Sequence, residues 1–109
     1  MMGIEELLKE IAALQRADLE AWIGEELVSP LREADALMFP EMECARVRLI
    51  CTLRYDLEIE ADALPVVLSL MDQLYDTRQK LLTLTAAVAA QDETVREAVL
   101  KAIGREDGA

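Results

Sequence analysis

A mostly α-helical fold with one small β-hairpin is what this sequence predicts, and three observations carry the prediction. The stretch from Asp62 to Gln91 contains no glycine, and its single proline, Pro65, falls in the first turn, where a missing N–H breaks no helical hydrogen bond. Apolar side chains recur along it at Val67, Leu70, Met71, Leu74, Leu81, Leu84 and Val88 in steps of three and four, the period of a helix with one buried face. Shorter runs of the same period lie on either side, and only the segment around Leu27–Phe39 breaks the pattern in favour of extended chain.

Taken in order, the first helix is expected over Ile4–Leu14, with Ile4, Leu7, Leu8 and Ile11 inward and Glu5, Glu6, Lys9 and Glu10 in water. After a turn near Gln15 and Arg16, a second helix over Asp18–Glu26 carries Leu19, Trp22 and Ile23 on its apolar face. Two short helices with a tight turn between them make a helix-turn-helix. Pro30 disfavours helix at the residue before it, so the chain reverses and Leu31–Asp35 with Ala36–Phe39 forms a two-stranded wing, although no Asn-Gly marks its tip. Pro40 opens a third helix, with Glu41 and Glu43 near its positive end and Met42, Val47, Leu49, Ile50, Leu53 and Leu57 on the buried side. Asp56–Glu60 connects to the long helix, which Asp62 can cap. At 1.5 Å per residue that helix is a rod of roughly 45 Å, longer than the compact body a chain of this size builds. Its far end must therefore pack on the C-terminal segment or on the same helix of a second chain. Asp92 caps a last helix over Glu93–Ile103, Gly104 stops it, and residues 104–109 are expected to be a disordered tail. The division expected is 1–61 for the winged module and 62–103 for a packing arm, within one folding unit.

Composition narrows the function. The chain has 109 residues, 22 acidic against 11 basic, and a net charge of −11. The excess runs through the whole sequence: −5 over residues 1–30, −3 over 31–60 and −3 over 61–109. Nucleic-acid binders draw affinity from basic residues that displace phosphate counterions, so this balance argues against DNA or RNA and suits a basic protein partner or plain solubility. Arg46, Arg48 and Arg54 are the one local basic concentration; they could touch DNA, but pairing with Glu43, Glu58 or Glu60 is the expectation. Cys44 and Cys51 share a helix face about 10 Å apart, too far for a disulfide, and read as small core or boundary residues. With no histidine, no C-x-x-C and no secretory segment, the chain reads as cytoplasmic, without a cofactor or zinc site. Asp72, Asp76, Arg78 and Lys80 interrupt the longest apolar stretch, so no membrane span is expected. Lacking a nucleophile paired with a base and any glycine-rich phosphate loop, the chain does not read as an enzyme.

The order helix, turn, helix, wing, helix, long helix resembles a MerR-type winged helix-turn-helix, a class that dimerises through its long helix. The wording is more specific. LEAWIGEELVSP, and then FPEMECARVRLICTLRYDLEIEADALPVVLSLMDQL, combine an aromatic in the second helix, a Leu-Val-x-Pro exit, a Phe before the third helix, R-L-I-x-x-L-x-x-D-L and V-V-L-S-L-M-D-Q-L. In these features the chain is similar to the chaperone modulator CbpM family, over residues 4 to about 91 and most strongly from Arg46 to Leu74. The resemblance implies a protein that binds the J-domain of a DnaJ-like co-chaperone of the CbpA type and inhibits its cooperation with DnaK. J-domains present a basic helix, which an acidic modulator can occupy. A MerR-type DNA reader is the alternative, as is a structural helical adaptor dimer. The DNA reader would need basic residues where this chain has none after Arg16 in the second helix, and where Arg32 in the wing is followed by Glu33 and Asp35.

Charge and expected exposure, with no family motif to fix the positions, place the partner surface on Asp18, Glu25, Glu26, Glu33 and Asp35, with Leu27 or Leu37 as apolar anchor. An ordinary solvated face is the plain alternative for each. Trp22, the single tryptophan, reads as core rather than as an interface anchor. Val67, Met71, Leu74, Leu81 and Val88 form either a homodimer seam or a face under the terminal helix; the homodimer is the reading taken, with Arg78 and Thr85 making any coiled coil imperfect.

Overall fold

The computed structural model describes residues 1–107. Its elements are β1 (Met2–Gly3), α1 (Ile4–Glu10), α2 (Arg16–Gly24), β2 (Leu31–Glu33), β3 (Ala36–Phe39), α3 (Glu41–Cys51) running into a π-helical turn (Thr52–Asp56), α4 (Leu64–Ala89) and α5 (Glu93–Asp107). The fold is mostly helical, with one small sheet. Residues 1–69 and 70–109 form two compact units. The boundary falls beyond the expected one at Asp62 because Leu64 and Leu68, in the first turns of α4, are buried in the core of the first unit.

That core gathers Leu7 from α1, Leu19 and Trp22 from α2, Phe39 from β3, and Cys44, Val47, Ile50, Cys51 and Leu53 from α3 and its π turn. Both cysteines are free, as their spacing implied, and both are buried. The hairpin is not alone in its sheet. β1 adds a third strand, in the order β1-β3-β2, with Met2 opposite Phe39 and Gly3 opposite Met38. Two residues are too few for sequence alternation to announce a strand. The β2–β3 turn is two residues, Ala34 and Asp35, closed by the Glu33–Ala36 pair. Both have left-handed φ, 46° and 65°, the requirement of the tight hairpin turn that Asn-Gly usually meets.

Several expected boundaries move for local reasons. α1 ends at Glu10 rather than Leu14, with the Ile11 N–H still bonded to the Leu7 carbonyl and Leu14 buried from the following turn. α2 spans Arg16–Gly24, ahead of the expected Asp18–Glu26, because its exit is a Schellman turn. Leu27 N–H bonds to the Trp22 carbonyl and Glu26 N–H to that of Ile23, while Glu26 takes φ 61°. At the start of α5 the Asp92 carboxylate accepts the Val95 N–H at 2.9 Å, the expected cap. Gly104 does not stop α5, which continues to Asp107; no described glycine has the left-handed φ that would end a helix there. Residues 108 and 109 of the expected tail lie outside the described residues. Among the described residues, no helix is long and apolar enough to cross a membrane.

Candidate functional site

Around Glu26 the first unit opens a groove of about 400 Å³, and its walls follow from the phase of α3. Cys44, Val47, Ile50 and Cys51 face the core, which leaves Met42, Ala45, Arg46 and Leu49, spaced i, i+3, i+4 and i+7, as a second stripe on another face. The opposite wall is the exit of α2: Glu26, Leu27 and Ser29. Two hydrogen bonds hold the walls together. Arg46 Nε donates to the Leu27 carbonyl, and the Ser29 N–H donates to Glu43 Oε2 at 3.3 Å.

Met42 was expected on the buried side of the third helix and is instead 82% exposed. It sits two residues before Cys44, about 200° around the helix from the core face. Leu57 is corrected in the same way, since the chain leaves the π turn there and the side chain stays in water. Leu27, expected as an exposed anchor, is only 8% exposed, because the Schellman turn folds it back toward Trp22 and both join the core. Leu37 is half-buried against the core and offers little anchor either. Met42 is the large apolar side chain that the groove exposes; its membership of a second 3–4 stripe with Leu49 was the signal for it in the sequence.

The acidic residues divide. Glu25 and Glu26 are exposed at the end of α2, and Glu26 lines the groove. Glu33 and Asp35 are exposed at the hairpin tip and do not line it. Asp18 is half-buried and engaged within the chain, where its Oδ2 accepts the Tyr55 hydroxyl. That hydroxyl also accepts the Gln15 N–H at 3.3 Å, so one side chain from the π turn ties down the start of α2. The Tyr55 ring lies 6.2 Å, centroid to centroid, from Trp22, which is core as expected. Arg48 pairs with Glu10 at 3.5 Å, a partner the sequence did not suggest, and Arg46 holds the groove wall. Arg16 pairs with Glu5.

Burial first, and then the hydrogen bond to Asp18, pushes the Tyr55 hydroxyl up to about 12 from 10.0. Burial, with the Asp18 and Asp56 charges adding to it, pushes the Cys51 thiol up to about 11 from 9.0. Cys51 is therefore held in the thiol form at neutral pH. Both groups hold their protons more tightly in the folded chain than in the unfolded one. The stability they contribute is complete below about pH 9 and is lost as pH rises from 9 to 12. Thermal melts across that range are expected to show a falling midpoint. Tyr55→Phe costs about 1–2 kcal/mol at pH 7 through the lost bond to Asp18, and flattens the fall above pH 10. An unchanged slope in the variant counts against this assignment.

Of the seam residues, Val67 packs against the first core and so is not free along α4. Met71, Leu74, Arg78, Leu81 and Thr85 are exposed in the single chain, and Val88 is half-buried. The Thr85 hydroxyl donates to the Leu81 carbonyl at 2.8 Å, satisfying its polarity within the helix. Leu81, Thr85 and Val88 lie along a groove shared with α5.

Compared with known proteins, the chain matches no family model, no curated protein and no solved structure. Residues 70–109 hold seven acidic and five basic side chains, which leaves −9 of the total −11 on residues 1–69. The exposed methionine and the acidic rim belong to that strongly negative unit.

Proposed function

We propose that this chain is a cytoplasmic chaperone modulator that binds the J-domain of a CbpA- or DnaJ-like co-chaperone and inhibits its cooperation with DnaK. The reading includes a MerR-like arrangement of α1–α3 with β2–β3 as wing, and a homodimer joined through α4. The observation that carries it is Met42, exposed beside Glu26 and Glu43 at the groove between α2 and α3, on the unit that holds most of the negative charge. A basic amphipathic helix matches that combination. An apolar side chain of the helix packs over Met42 and Leu49, while its lysines and arginines meet Glu25 and Glu26. Occupying the basic helix of the J-domain denies it to DnaK. A phosphate backbone gains little from the same surface, where carboxylates are exposed and Arg46 and Arg48 already have partners within the chain.

Calorimetric titration into the isolated J-domain of the co-chaperone tests this. One J-domain per chain, bound more weakly at about 0.3 M salt than at low salt, is the expected result. Silence at both salts with tens of micromolar protein overturns the reading, and a shift of promoter DNA in a gel at moderate salt would favour the regulator alternative.

A further inference from the structure

We propose that Met42 is a reversible oxidation site, and that conversion of its thioether to the sulfoxide by a peroxide weakens partner binding at the groove between α2 and α3. The consequence for binding rests on the J-domain reading above; the site of oxidation does not.

Met42 carries the most open sulfur in the protein. It is 82% exposed, against 61% for Met1 and 36% for Met71, while Met2 and Met38 are half-buried. The thiols compete poorly for the oxidant. Cys44 and Cys51 are buried, and peroxides react with thiolates, a form that Cys51, with its thiol pushed up to about 11, does not supply at neutral pH. Hydrogen peroxide is itself neutral, so the net −9 of residues 1–69 does not hold it away from the groove.

The chemistry needs only the peroxide. A lone pair on Sδ attacks one peroxide oxygen, forming the S–O bond as the O–O bond breaks. The departing hydroxide takes the proton from the oxygen now on sulfur, which leaves sulfoxide and water. Sulfur is oxidised by two electrons and the peroxide reduced by the same two. Thiol-dependent sulfoxide reductases return the thioether, with water and a disulfide as the other products.

Position gives the change its effect. Met42, Ala45 and Leu49 line the groove from α3, and Met42 is the large apolar side chain most open among them. A thioether is apolar and polarisable and adapts to whatever is laid over it. The sulfoxide is polar, and its oxygen holds water. Seating an apolar side chain of the partner over it strips that water and gives no hydrogen bond in return. Met1 and Met71, the next most open, do not line the groove, so their oxidation leaves binding unchanged.

The test takes the full chain through graded hydrogen peroxide, locates the added oxygen by peptide mass spectrometry, and titrates each preparation into the isolated J-domain. Met42 is expected to gain oxygen before Met2, Met38 and Met71. The oxidised chain is expected to bind about tenfold more weakly, with the emission of Trp22 unchanged, and a methionine sulfoxide reductase to restore binding. Met42→Leu keeps the apolar volume without the sulfur; it should bind as the unaltered chain does and keep that affinity after peroxide. Met42→Gln puts a polar group at the same place and should bind about tenfold more weakly with no oxidant present. An oxidised chain that binds as well as the untreated one overturns the proposal and leaves the J-domain reading standing. So does a Met42→Leu chain that loses binding after peroxide, or oxygen gained at Met2, Met38 or Met71 ahead of Met42. An untreated chain that does not bind overturns the J-domain reading, and the consequence proposed here falls with it.

Discussion

Leu64→Ala is expected to destabilise residues 1–69 by about 3 kcal/mol, because Leu64 is fully buried and its truncation leaves a cavity among side chains that cannot collapse into it. Leu84→Ala, further along the same helix, is expected to move the same transition by less than about 0.5 kcal/mol, since its side chain is mostly in water in the single chain and belongs to the other unit. The probe is Trp22, the chain's one tryptophan, which sits in the first core. Urea unfolding followed by its emission reads that unit directly. Equal losses from the two substitutions would sink the division of α4 between two units. The contrast is informative because both residues belong to one unbroken helix and look equivalent in the sequence pattern.

Glu25→Lys/Glu26→Lys is expected to weaken J-domain binding more than tenfold at low salt, about 1.4 kcal/mol or more. Most of the loss should lie in the association rate and fade as salt rises. Glu26 already has left-handed φ, and lysine there meets the same backbone strain as glutamate, so the double variant should keep its fold. Met42→Asp removes the apolar contact, adds charge of the sign already present, and is expected to cost about 2 kcal/mol through faster dissociation. Glu33→Lys/Asp35→Lys alters charge equally at the hairpin tip, away from the groove, and is expected to matter less. Surface plasmon resonance at two salt concentrations separates these effects. A hairpin-tip variant as damaging as the Glu25/Glu26 variant would mean that the partner reads the whole acidic face and not the groove.

The partner surface shows where sequence reading succeeds and where it stops. Charge is a property of residues, so the acidic excess and the argument against nucleic acid were available before any fold was known. Exposure depends on turn geometry. Leu27 looked like a surface anchor because nothing in Gly-Glu-Glu-Leu announces that Glu26, rather than Gly24, takes the left-handed position that folds Leu27 under Trp22. Asp18 looked free because its partner, Tyr55, lies 37 residues away and is brought to it by a π turn. Met42 was assigned to the core because two apolar stripes share α3, and periodicity alone does not say which of them faces inward.

By itself the sequence determined the mostly helical class, the order and approximate extent of the helices, the β2–β3 hairpin, the Asp92 cap, the buried tryptophan and the two free cysteines. Each of these follows from periodicity, capping or local backbone preference acting over a few residues. Only the tertiary structure decided that β1 joins the sheet, that the first turns of α4 complete the core of residues 1–69, and that Met42 faces a groove rather than the interior. Those outcomes rest on contacts between residues far apart in the chain, where the hydrophobic gain from burying Leu64, Leu68 and Leu27 together outweighs local preferences that would have left each of them on a surface.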